Sequence, residues 1–228
     1  MANLSLTWLG HASFRLDGPS GKRVYIDPWL ENPKCPEGER EVEKVDVVAL
    51  THAHSDHVAS CPELVKQHSP DIVCMIEYGD WLESQGFENV HGINKGGTVD
   101  LEGVRVTMTD ARHSSGRSDG GYGGEAAGVV VELDDIRIYH AGDTCVFGDM
   151  QLISRLYQPD VAILPIGGYF TMDPREAAVA LELLDVKRCV PCHYGTFPAL
   201  SGTPDELRKL APAGVEIIAP DPGETIQL

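Results

Sequence analysis

Thr51-His52-Ala53-His54-Ser55-Asp56-His57 places four potential metal ligands within six residues, directly after the apolar run Val45-Asp46-Val47-Val48-Ala49-Leu50. That run is short, β-branched and bounded by polar residues, so it predicts a buried strand. A helix would spread the four side chains around its axis. A tight loop at a strand end aims them at one point. His52 and His54 share a face if the backbone between them is extended. Asp56 and His57 then follow around the turn, placed to serve a neighbouring ion. Solvated loop residues would be the ordinary explanation of a lone histidine. Three histidines and an aspartate at this spacing are the pattern of a metal site.

Working outward, the same rule of a ligand just past a buried strand picks out three more residues. His113 follows Val104–Thr109, Asp143 follows Arg137–Tyr139 within His140-Ala141-Gly142-Asp143-Thr144, and His193 follows Arg188–Cys192. Further strands are expected at Leu4–Leu9, Ser13–Asp17, Arg23–Ile26, Asp71–Met75, Gly128–Leu133, Val161–Leu164 and Val215–Ile218. Helices are expected at Pro62–Gln67, Tyr78–Gln85, Gly148–Tyr157, Pro174–Leu184 and Pro204–Leu210. Two helices carry start signals: Asp173 before Pro174, and Thr203-Pro204-Asp205-Glu206, a capping box. Gly116–Gly124 reads as a flexible polar surface loop. The run Pro159-Asp160-Val161-Ala162-Ile163-Leu164 echoes the one ending at Leu50, which hints at two related halves.

The order H-x-H-x-D-H, then H, D and H, resembles the metallo-β-lactamase superfamily. Trp8-Leu9-Gly10-His11-Ala12-Ser13-Phe14 and Asp27-Pro28 are similar to the branch that holds the L-ascorbate-6-phosphate lactonase and the N-acyl-phosphatidylethanolamine phospholipase D. Tyr139-His140-Ala141-Gly142-Asp143-Thr144, Leu164-Pro165-Ile166-Gly167 and His193-Tyr194-Gly195-Thr196-Phe197-Pro198 resemble more closely a bacterial and archaeal group known only as metal-dependent hydrolases. So do Gly148-Asp149-Met150 and Phe170-Thr171-Met172. The resemblance implies an α/β fold, a four-layer αββα sandwich, in one domain spanning residues 1–228. It also implies one divalent ion on His52, His54 and His113, a second on Asp56, His57 and His193, and Asp143 bridging them. Asp56 and Asp143 are then the catalytic carboxylates.

Imidazole-rich ligands favour Zn2+, with Mn2+, Fe2+ or Ni2+ compatible with the same donors. Two ions about 3.5–4 Å apart lower the pKa of a shared water, so that a bridging hydroxide exists near neutral pH. It would attack a carbonyl or phosphoryl centre. Two dications against two carboxylates leave about +2, or about +1 with hydroxide bound.

The whole chain carries a formal net charge of −17, which repels polyanions and disfavours a nucleic-acid groove. The expected substrate is therefore a small anionic ester, a phosphodiester or a lactone. Arg112 and Arg117, flanking His113, are candidate anion clamps. Tyr169 and Tyr194 follow strand ends and are candidates to line the pocket. Asp27 and His11 are candidate supports behind the ligands, Asp27 by accepting a ring N–H from a ligand histidine and His11 where it lines the pocket. His140 is expected to be a buried structural histidine, and His68 and His91 to lie on the surface.

Cys189-Val190-Pro191-Cys192-His193 spells the c-type haem pattern. His193 is claimed by the fuller metal constellation, and Met1–Phe14 lacks the basic and apolar regions of an export signal. The chain is accordingly expected to be cytoplasmic with its six cysteines reduced, without a membrane span, and open to homo-oligomer formation. The rival functions are a metal-dependent nuclease, a non-catalytic metal-binding protein on the same fold, and an iron redox enzyme.

Overall fold

A computed structural model describes residues 4–228. Residues 1–3, part of the stretch scanned for an export signal, lie outside the described residues.

Two seven-stranded mixed sheets form the molecule. The first contains β1 (Ser5–Trp8), β2 (Phe14–Asp17), β3 (Arg23–Ile26), β4 (Val47–Ala49), β5 (Asp71–Met75) and β6 (Val90–Ile93), with β14 (Thr225–Gln227) on the edge beside β1. The second runs from β7 (Thr98–Asp100) through β8 (Val104–Asp110), β9 (Ala127–Leu133), β10 (Ile136–His140), β11 (Val161–Pro165) and β12 (Arg188–Cys192) to β13 (Glu216–Ile217). The helices are α1 (Ser55–Val58), α2 (Cys61–His68), α3 (Ile76–Ser84), α4 (Met150–Tyr157), α5 (Pro174–Leu184) and α6 (Pro204–Leu210).

The period-2 alternation of the strands creates the layers. Leu6, Trp8, Phe14, Leu16, Val24, Ile26, Val47 and Ala49 meet Val106, Val129, Val131, Ile138, Val161 and Ile163 in one core between the sheets. The alternate residues Tyr25, Val48, Ile72 and Cys74 face the other way and pack with Leu64 of α2 and Tyr78 and Leu82 of α3. On the second sheet Val130, Tyr139, Ala162 and Leu164 pack outward against α4, α5 and α6. The order is thus α, β, β, α, as the sequence implied. Both start signals hold. The Asp173 carboxylate accepts from the backbone N–H of Arg175 and Glu176, and Thr203 and Glu206 close a capping box.

The two echoing runs occupy equivalent strands. β4 lies parallel to β3, and β11 lies parallel to β10. The Asp46 carboxylate accepts from Arg23 N at 2.7 Å, and the Asp160 carboxylate accepts from Arg137 N at 2.8 Å. Each aspartate fixes the start of the neighbouring strand in the same way, so the hint of two related halves reaches atomic detail.

Five segments depart from the sequence-based expectation. β6, β7 and β14 are short strands whose residues are mostly half-buried or exposed, so they lack an apolar signature. Asp56 and His57 lie on α1, a single helical turn that a four-residue window cannot announce. Gly116–Gly124 is folded as a pinned hairpin rather than a free loop. Gly116 bridges Tyr122, and Ser115 Oγ donates to Gly123 O while accepting from Ala53 N, which ties the loop to the ligand segment. His91 is half-buried and contacts Asp71 at 2.7 Å, and His68 is half-buried too. Among the described residues no helix is long and apolar enough to cross a membrane.

Candidate metal centre

Every proposed ligand leaves a strand at the same end of the sandwich. β4 leads into Leu50, Thr51 and His52. β8 leads to His113, β10 to Asp143 and β12 to His193. Backbone shape brings them close. Gly142 has φ +61°, and a Cβ there would fall 2.6 Å from Ala127 O. At Gly167 a Cβ would fall 2.1 Å from His193 O, so only glycine lets the loop after β11 lie against the ligand. His11, Asp27 and His193 themselves adopt left-handed φ values of 51°, 47° and 53°. Such conformations cost of order 1 kcal/mol each and concentrate at functional sites.

The side chains fall into two groups of four candidate ligands, with a third, Asp27, His52 and His57, overlapping both. One is His52, His54, His113 and Asp143; the other is His11, Asp56, His57 and His193. Asp143 stands between them. Its Oδ2 lies 3.2 Å from His193 Nε2, 3.6 Å from His113 Nε2 and 4.0 Å from His52 Nε2, and its Oδ1 lies 3.4 Å from His57 Nε2. His57 Nε2, His193 Nδ1 and Nε2, and Asp143 Oδ1 are buried without a hydrogen-bond partner. Orphaned polar atoms of this kind are rare in folded proteins. Here several converge, and bound divalent ions would satisfy those that face one another. The residues therefore fit the divalent ions that the sequence implied.

Electrostatics agree. Burial pushes His52, His54 and His113 below the usual imidazole range, which keeps them neutral, as ligands must be. His57 is the exception: burial opposes its charge, but Asp143 and Asp27 outweigh it and hold its proton more firmly than usual, a proton that a bound ion would have to displace. At Asp143 burial opposes ionisation, yet His193 and His57 keep the carboxyl well below its ordinary value.

Asp27 does more than orient one ring. Its Oδ2 accepts from His57 Nδ1 at 2.7 Å and from Thr51 Oγ1 at 2.6 Å, and its Oδ1 accepts from Thr51 N at 2.8 Å. With its hydrogen given to Asp27, the Thr51 hydroxyl accepts from His52 Nδ1 at 3.0 Å. One buried carboxylate thus presents the Nε2 lone pairs of His57 and His52, one from each ligand set.

His11 is fully buried, and burial lowers its pKa to about 4. Its Nε2 lies 3.1 Å from Asp56 Oδ2 and its Nδ1 lies 3.0 Å from Thr196 Oγ1. His11 thus touches the candidate ligand Asp56 directly, where a support behind the ligands would stand. Thr51 and Thr196 stand within the sequence motifs, but residue type alone assigns neither a role. Thr51 precedes the histidine run and Thr196 follows His193, and that adjacency was the available signal. His140 is buried and structural, contacting Ala12 O and accepting from Gly142 N.

The proposed substrate contacts divide. Arg117 is committed to its own loop: it pairs with Asp119, donates to Tyr122 O at 2.7 Å and lies over the Trp81 ring. Arg112 lies over Phe147, and its backbone N–H donates to Thr144 Oγ1 beside Asp143. Tyr194 stacks on Trp8 under the Lys34 ammonium. Tyr169 is 80% exposed and packs edge-on against Phe170. The haem pattern is broken by strand geometry: Cys189 packs outward beneath the helices while Cys192 packs into the core between the sheets.

A family model described as a β-lactamase superfamily domain matches residues 22–194. A metal-dependent hydrolase of the UPF0173 family from Koribacter versatilis is 49% identical over 230 residues, covering 99% of this chain and 98% of the relative. Another from Herpetosiphon aurantiacus is 46% identical, with 98% of each covered. The solved structure of Igni18, a metallo hydrolase from Ignicoccus hospitalis, superposes with a TM-score of 0.89 at 35% identity over 100% of this chain and 99% of that one. With this fold, these ligands and these relatives, the chain belongs to the metallo-β-lactamase superfamily as one of its UPF0173 metal-dependent hydrolases.

Proposed function

We propose that the chain hydrolyses a small anionic ester, a phosphodiester or a lactone, at a centre of two divalent ions, with zinc favoured by the donors, in the cytoplasm. The observation that carries this is the Asp143 carboxylate, which faces histidines of both ligand sets at 3.2–4.0 Å. When bound, the ions supply Lewis acidity and make water a nucleophile near neutral pH. The chain's own residues define where this happens. His52, His57, His193 and Asp143 form a buried floor, while His54, Asp56 and His113 are part-exposed and mark the open side. Trp29 and Phe197 stack at 6.0 Å and both meet the His11 ring edge-on, giving one apolar wall beside Asp56. A site of this kind suits a compact substrate whose anionic group faces the ions and whose remainder lies on the wall. The chain's charge of −17 repels long polyanions at the same time.

The test uses metal-quantified protein with a chromogenic phosphodiester, a simple lactone and single-stranded RNA, each at low and moderate salt. Two ions per chain with turnover of a small ester and little cleavage of RNA are expected. At most one tightly held ion, or efficient RNA cleavage with a steep salt dependence, would refute the proposal, the latter in favour of a nuclease.

A further inference from the structure

His11 comes from the turn between β1 and β2, Asp56 from α1, and Thr196 from the segment after β12, yet the three side chains form one hydrogen-bonded chain. A carboxylate only accepts, so the Nε2 that faces Asp56 carries the hydrogen. Nδ1 is then an acceptor, and the Thr196 hydroxyl donates to it. The imidazole has little freedom to leave this position. Its own carbonyl accepts from His193 N at 2.9 Å and from Trp8 Nε1 at 3.0 Å, and its ring centroid lies 4.0 Å from that of His193. Asp56 is the opposite case. It sits on a single helical turn with its side chain 28% exposed, and among the described residues His11 is the one side chain that hydrogen-bonds it.

Ligand number separates the two roles open to His11. Asp56, His57 and His193, with Asp143 at 3.2 Å from His193 Nε2 and 3.4 Å from His57 Nε2, supply four donors without His11, matching the four of His52, His54, His113 and Asp143 on the other side. His11 would be a fifth ligand on one side alone. We propose that His11 is a positioning residue: it clamps the Asp56 carboxylate and so sets the affinity of the ion served by Asp56, His57 and His193, with Thr196 fixing the tautomer that lets it donate. The inference rests on the dinuclear reading above. It assigns work to the Gly10-His11-Ala12-Ser13 turn and to Thr196, and makes the two ions unequally dependent on that turn.

The experiment is zinc titration of the full chain against a chromophoric chelator, with total zinc measured in parallel, for wild type, His11→Ala, His11→Gln and Thr196→Val. Circular dichroism of each metal-free variant reports folding. In wild type two ions are expected. His11→Ala is expected to weaken one of them by roughly 10- to 100-fold and to leave the other within about twofold, the usual size of an outer-shell effect. His11→Gln keeps an N–H donor but offers a poor ligand, so it should restore most of the loss. Thr196→Val should fall between. If His11→Gln is as weak as His11→Ala, His11 is a ligand and the inference is overturned. Two ions of unchanged affinity in His11→Ala overturn it as well. A wild-type chain that takes one ion overturns the dinuclear reading and this inference together. Should His11→Ala fail to fold, His11→Gln and Thr196→Val decide between the same outcomes.

Discussion

Asp27→Asn should disarm both ligand sets without touching a ligand. The wild-type carboxylate accepts three hydrogen bonds, from Thr51 N, Thr51 Oγ1 and His57 Nδ1. An amide cannot accept all three. If its oxygen stays with Thr51 N, its NH2 faces His57 Nδ1 and the Thr51 hydroxyl. His57 must then move its hydrogen to Nε2, onto the position meant for the ion. The Thr51 hydroxyl turns its own hydrogen toward His52 Nδ1, which drives the His52 hydrogen to Nε2 as well. If the amide is flipped, its NH2 meets the Thr51 N–H and leaves a buried donor unpaired, at about 1–3 kcal/mol. Loss of such outer-shell support weakens metal affinity roughly 10- to 100-fold, or about 1.4–2.7 kcal/mol of binding. At saturating ion that stabilisation is lost from the folded state too. That loss alone should lower the Tm of the metal-loaded protein by roughly 3–11 °C for each ion affected in a domain of this size. The assay is chelator competition together with thermal melts, with and without zinc. Asp27→Asn holding both ions at wild-type affinity would refute the account of Asp27 as the common support of His57 and His52.

The other expectations are simpler. Of the six free cysteines Cys145 alone is exposed, and burial pushes Cys35 up to about 11 and Cys61 up to about 12. A thiol reagent at neutral pH should therefore titrate one thiol in the native protein and all six after unfolding; rapid native reaction of a second would contradict the burial described. Cys189→Ala with Cys192→Ala should keep metal content and most activity and show no haem absorbance, whereas His193→Ala should lose metal. The paired Cys→Ser change should melt earlier than the paired alanine change, because it buries a hydroxyl on each side of β12. Arg112→Ala should raise KM for an anionic ester by about tenfold with kcat little changed, if its guanidinium swings from Phe147 to the substrate. Arg117→Ala should instead lower stability through the Gly116–Gly124 hairpin, read as a shift in Tm; a selective rise in KM would return it to the substrate.

What the sequence disclosed and what it withheld follow from one physical distinction. Metal ligands announce themselves because the chemistry demands particular atoms, and only a few residue types supply them. The candidate ligands His52, His54, Asp56 and His57 could therefore be gathered by their clustering, and His113, Asp143 and His193 by the rule of a donor past a buried strand, across a separation of more than 130 residues. The layers were legible for a similar reason: period-2 strands with apolar residues on both faces must be covered twice, as Tyr25 and Val24 show by facing opposite cores. The supports were less legible, since a threonine hydroxyl has no signature until its partners are in place. Thr51 Oγ1 matters because Asp27 lies 2.6 Å away, and Thr196 because His11 lies 3.0 Å away; in each case the partner is distant in the chain. Arg117 shows the limit of adjacency as a signal. Adjacency to His113 suggested a clamp, but the fold turned its guanidinium onto Asp119 and Trp81. Edge strands such as β7, with a single part-buried residue, fall below any apolar threshold and form because β8 offers a backbone to pair with. Positions that chemistry restricts are written into residue identity, whereas positions that packing and hydrogen bonding restrict are written into the neighbours, and the fold is what makes them neighbours.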